Sequence, residues 1–175
     1  MDLRFAAAAL FAFVPFGAAH AQITNPSGTL DVRLVVTQAC EVTWPGGSGG
    51  AGSAVLDFGT TATIDAPIDA DIGTGAAGGI EVRCNAGTEY TVSFDAGLHA
   101  SGNTANRAMA GETNTSQLIP YQIYTTAGRT TPLTTVTITA NGSNQPIPIY
   151  GRVPVLTPTP PADTYTDTVT ITISL

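Results

Sequence analysis

The side chains best equipped for chemistry in this sequence are two cysteines, Cys40 and Cys84, three aspartates close together, Asp65, Asp69 and Asp71, and the histidine His99. In an oxidising compartment two thiols have a single disulfide open to them, whereas a metal site would call for histidine nearby, and neither cysteine has one. A Cys40–Cys84 bridge would close a long loop and stabilise the fold by roughly 4 kcal/mol through the chain entropy it removes. Clustered carboxylates favour hard cations such as calcium. The spacing here lacks the glycine and bidentate glutamate of an EF-hand loop, so a solvated acidic loop holding no metal is the expectation. His99 lies in a Gly/Ser/Asn-rich stretch with no nucleophile motif around it, and the chain has neither a lysine nor an H-E-x-x-H. The glycine run from Gly46 to Gly52 lacks the lysine and following helix of a phosphate-cradling loop. These features predict no enzyme, no cofactor and no catalytic or metal centre.

Composition narrows the remaining classes. Residues 1–21 read as an export signal: Arg4 is the positive start, Phe5 to Phe16 the apolar run, and Ala19-His20-Ala21 the small-x-small cleavage site, so the mature chain begins at Gln22. Pro15 and Gly17 interrupt the run well short of the ~20 apolar residues that span a bilayer. What remains has the size of one domain. All 6 basic residues are arginine against 13 acids, a formal net charge of −7, which argues against a nucleic-acid partner.

The elements that must position these residues read as strands. In the stretch Thr29 to Thr37, residues Leu30, Val32, Leu34 and Val36 fall on one face at period two, and Thr29, Asp31, Arg33 and Thr37 on the other. That is a half-buried β-strand, and the core that covers it is either its own or a neighbour's. Further strands are expected at Cys40 to Trp44, Val55 to Gly59, Ile80 to Cys84, Tyr90 to Phe94, Leu118 to Tyr124, Thr134 to Thr139, Ile147 to Val153 and Tyr165 to Leu175. Thr60 to Gly79 and Gly97 to Gly111 read as connections, and the proline-rich Pro154 to Asp163 as a polyproline-like loop. No segment carries helical periodicity. Short alternating strands separated by turns predict an antiparallel sandwich. The last strand runs to Leu175, so its outer edge is expected to lie uncovered, a feature folded proteins normally avoid.

In order and spacing, these pieces resemble the spore coat U domain proteins, and among them the Csu-type subunits of archaic chaperone-usher pili. The resemblance is carried by Gly28 to Leu34 ahead of Cys40-Glu-Val, Leu56-Asp-Phe-Gly59, Ile80 to Cys84 with Tyr90-Thr-Val92, Arg107-Ala-Met109, Pro120 to Tyr124, Tyr150 to Pro154 and Tyr165 to Val169. It departs from the family at Pro132-Leu133, where many members have a tryptophan. The resemblance implies an all-β, incomplete immunoglobulin-like sandwich lacking its last strand. Residues 22–38 would form an N-terminal donor-strand extension and 39–175 the pilin domain. A periplasmic chaperone, then the N-terminal strand of the next homologous subunit at an outer-membrane usher, would fill the groove by β-augmentation. Leu30, Val32, Leu34 and Val36 would be the donor side chains, and Val169, Ile171, Ile173 and Leu175 the acceptor edge. The implied product is a structural subunit of a cell-surface fimbrium, exported through the periplasm and supporting attachment and biofilm formation. A spore or cell-surface coat protein and a minor or tip adhesin subunit are the alternatives.

Overall fold

A computed structural model describes residues 27–45, 47–48, 52–73 and 79–175. The expected export signal, residues 22–26 and part of the glycine-rich run lie outside the described residues. The chain divides into two units, residues 1–35 and 36–175, and the second holds every described strand. In chain order the strands are β1 (Cys40–Trp44), β2 (Gly47–Ser48), β3 (Ile68–Ile72), β4 (Ile80–Cys84), β5 (Glu89–Phe94) and β6 (Ala108–Gly111). They continue as β7 (Leu118–Pro120), β8 (Gln122–Tyr124), β9 (Thr135–Thr139), β10 (Gln145–Ile147), β11 (Ile149–Val153), β12 (Tyr165–Thr166) and β13 (Ile171–Ser174). One short 3-10 turn, Thr104–Asn106, is the sole helical element among the described residues.

All pairings are antiparallel. They build one four-stranded sheet, β10-β4-β1-β2, and three of three strands, β3-β11-β8, β12-β6-β7 and β13-β5-β9. The four sheets share one core because their strands alternate as the sequence predicts. Ile80, Val82 and Cys84 of β4 are buried while Arg83 points out, and Tyr90, Val92 and Phe94 of β5 repeat the pattern. Each aliphatic side chain fully buried in this way contributes roughly 1.5–3 kcal/mol. Ile119, Ile123, Ile149 and Val153 bring the other two sheets to the same cluster. Leu133 is buried, and its amide donates to the Ile123 carbonyl at 2.8 Å.

Several expectations are corrected. Residues 29–37, read as a half-buried strand, form no ladder among the described residues and are exposed, because alternation within a segment does not specify what covers it. Val55 to Gly59 joins no ladder among the described residues. Leu56 and Phe58 still pack against the core, over Gly151, where any Cβ would come within 2.6 Å of Leu56 and 2.8 Å of Phe58. The stretch read as an acidic connection contains β3, whose residues Ile68 to Ile72 pair along the whole of β11. Gly97 to Gly111 contains β6.

Three expected strands each divide into two that join different sheets. The breaks fall at Tyr121, at Pro148 and across residues 167–170. Pro148 has no N–H to give a ladder. At the other two breaks polar side chains provide the reason.

Candidate functional site: an open strand edge

The polar centre of the fold is Arg107, which has no exposed surface. Its Nε and Nη2 donate to the Asp95 carbonyl at 3.1 and 2.6 Å, Nη2 to the Phe94 carbonyl at 3.2 Å, and Nη1 to Gln122 Oε1 at 2.6 Å. A planar guanidinium can satisfy carbonyls in two directions at once, which an ammonium cannot. Burial lowers the Arg107 pKa, opposed by the nearby Tyr121, Asp95 and Asp167. Sequence reading left Arg107 inside a loop; its place in Arg107-Ala-Met109 was the one signal for it.

Beside it stands Asp167, whose side chain is 2% exposed. Oδ1 accepts from the Leu98 amide at 2.9 Å and lies 3.0 Å from His99 Nδ1, and Oδ2 accepts from the Tyr121 hydroxyl at 2.8 Å. His99, considered above for chemistry, is therefore engaged in holding a carboxylate. Asp95 Oδ1 accepts from the amides of Gly97 at 2.9 Å and Thr170 at 2.8 Å. Burial alone would raise the Asp95 pKa; these bonds and the Arg107 charge outweigh it and leave the carboxyl below the usual range.

Together the two carboxylates fix residues 167–170, and β13 follows. It pairs with β5 on one side, Ile171 opposite Phe94 and Ile173 opposite Val92; among the described residues nothing pairs with its other side. Val169, Ile171 and Ile173 pack on the core yet stay half-buried, and Leu175, beyond the ladder, is exposed. Among the described residues the outer side of β13 is an apolar sheet edge with no ladder partner.

In the N-terminal unit, residues 27–35 belong to no helix or strand and are exposed. Leu30 and Val32 are each 87% exposed and Leu34 86%; in the next unit Val36 is 73% exposed. These aliphatic side chains, spaced at period two, stand in water with no apolar neighbour to cover them among the described residues.

The cysteines form the expected disulfide, and Cys40 lies directly opposite Cys84 in the β1–β4 ladder. Just ahead of it, the Ala39 amide donates to Asn85 Oδ1 at 2.7 Å and the Asn85 amide to the Ala39 carbonyl at 3.2 Å.

Of the three aspartates, Asp69 and Asp71 stand on β3 and Asp65 precedes it. Asp69 accepts from Arg152 Nε and Nη2 at 2.7 and 2.8 Å, with Arg129 Nη1 3.3 Å away. The Arg152 bonds above all hold its carboxyl below the usual range, against a smaller effect of burial and with help from Arg129. Two guanidiniums thus occupy the carboxylate that a cation would need.

The chain belongs to the Spore Coat Protein U domain family, whose model matches residues 27–172. No curated protein matches it. A solved structure with a similar chain is that of the CsuC-CsuE chaperone-tip adhesion subunit pre-assembly complex from archaic chaperone-usher Csu pili of Acinetobacter baumannii. The two chains are 22% identical with a TM-score of 0.50, over 80% of this chain and 40% of that one. At that identity the likeness is one of fold, and this chain spans less than half the length of its counterpart.

Proposed function

We propose that this protein is a structural subunit of an archaic chaperone-usher pilus, polymerising by donor-strand complementation. The observation that carries the reading is the row Leu30, Val32, Leu34 and Val36, aliphatic at strict period two and left in water. Burying the four against another subunit would contribute roughly 6–12 kcal/mol before ordering costs. The open edge of β13, with Val169, Ile171 and Ile173 half-buried and Leu175 beyond them, is the complementary feature. Where donor and acceptor are different surfaces of one chain, the contact is head-to-tail and propagates as a filament. On this reading residues 22–38 are donated, 39–175 form the receiving domain, and a periplasmic chaperone covers the edge until an outer-membrane usher exchanges it for the next subunit. The fibre is carried to the cell surface, where it supports attachment and biofilm formation.

The test uses Val32→Asp and Leu34→Asp in the exported full-length chain. Both side chains face water in the single subunit, so each variant should fold with unchanged stability yet form no fibres by negative-stain electron microscopy. Fibres of normal length from either variant would sink the reading.

A further inference from the structure

The row from Val169 to Leu175 has an ambiguity built into it. Val169, Ile171, Ile173 and Leu175 are similar aliphatics, separated by Thr170, Thr172 and Ser174. A one-residue slip on β5 is forbidden because it turns every side chain to the wrong face, but a two-residue slip exchanges each side chain for one of the same kind. Hydrophobic pattern therefore does not select the register of β13.

One inward position breaks the degeneracy. Tyr165, Asp167, Val169, Ile171 and Ile173 are all half-buried while the residues between them are exposed, and in that row Asp167 alone carries a charge. Its carboxylate meets donors from two other segments, the Leu98 amide with His99 Nδ1, and the Tyr121 hydroxyl. Gly97, at φ +82°, leaves room for it; a Cβ there would collide with the Asp167 carboxylate. A two-residue slip moves the carboxylate about 7 Å along the strand, out of reach of all three groups. Thr170 is held in the same register from its other side by Asp95, through its amide at 2.8 Å and its carbonyl at 3.0 Å.

We propose that Asp167 is the register pin of the terminal strand: it selects which aliphatic side chains of β13 stand at the open edge and so acts as a positioning residue for the strand that docks there. The pin itself follows from the ladder and the hydrogen bonds; its part in docking rests on the pilus reading above.

Engineered cross-links in the full-length chain read the register. Thr91 and Ser174 are directly opposite, so Thr91→Cys with Ser174→Cys reports the native ladder. Thr91→Cys with Thr172→Cys reports a slip of two, and peptide mapping separates either product from Cys40–Cys84. With Asp167 present the 91–174 product should dominate and 91–172 remain at trace. In Asp167→Ala the slipped product should rise about tenfold or more, the scale of a lost hydrogen bond to a charge. Asp167→Asn, which keeps an acceptor, should restore most of the native product. Tyr121→Phe, a milder change should Asp167→Ala not fold, should raise the slipped product by a smaller factor.

A folded Asp167→Ala or Tyr121→Phe chain in which 91–172 stays at trace overturns the pin, whatever happens to fibres. Slippage in Asp167→Ala with an unchanged rate of fibre growth overturns β13 as the docking edge and leaves the pin standing. Slippage together with slowed growth supports both.

Discussion

The Tyr121 hydroxyl donates to Asp167 Oδ2 at 2.8 Å, and each residue sits where a strand leaves one sheet for another: β7 for β8 at Tyr121, β12 for β13 after Asp167. The two crossings are thereby tied at one buried point. Neither residue could be moved along its strand without unpairing the other.

This tie has an alkaline signature. Burial foremost, then the bond and charge of Asp167, raises the Tyr121 pKa above that of a free phenol. Above about pH 10 an unfolded chain releases this proton while the folded one keeps it, so stability falls as pH rises. Tyr121→Phe should be less stable at neutral pH by about 1–2 kcal/mol and decline less steeply above pH 10. Urea unfolding followed from pH 7 to 11 checks both.

Arg107→Lys should cost about 3 kcal/mol, because an ammonium leaves several of the acceptors around the fully buried guanidinium without partners. The unfolding midpoint in urea is the measure. A loss under 1 kcal/mol would mean that water or the lysine itself replaces those bonds.

Replacing both cysteines, Cys40→Ser with Cys84→Ser, should lower stability by about 4 kcal/mol, as expected when a loop of sequence separation 44 is opened in the denatured state. Unfolding of the oxidised parent and the double variant by guanidinium gives the difference directly.

Gly151→Val should displace the stretch that carries Leu56 and Phe58, since its Cβ would press on both side chains. A loss of about 1–3 kcal/mol is expected for such overpacking. Phe58→Ala in the same background should recover part of it, and thermal melts of the single and double variants test that coupling.

Much of this fold could be read from residues alone. Ile80 to Cys84 and Tyr90 to Phe94 were clear because each is half-buried in a single sheet, where inside and outside alternate without interruption. The sheet changes at Tyr121, Pro148 and 167–170 were hidden because alternation continues straight through them; Asp167 keeps the inward parity of its strand and so resembled one more core position. β3 escaped notice because its aspartates looked like loop residues. Arg152 and Arg129, distant in sequence, turn Asp69 into a strand-face partner. The alternation of Leu30 to Val36 and of the last strand was legible in the residues, but not that the first stretch stands exposed, which no pattern within it marks. Arg107 and Asp95, which hold the site together, were not legible, since their partners are mainly backbone groups that no sequence pattern marks.

Tension gives the disulfide a second meaning. A pull applied ahead of Ala39 reaches the Asn85 bonds first and then the Cys40–Cys84 link, which passes the force covalently to β4, a strand hydrogen-bonded on both sides with Ile80 and Val82 fully buried. The residues between the two cysteines lie inside a closed covalent loop, so they cannot lengthen under load however far the rest of the chain is drawn out. β1 is shielded from peeling, and the extensible length of the molecule is shortened by the whole of that loop.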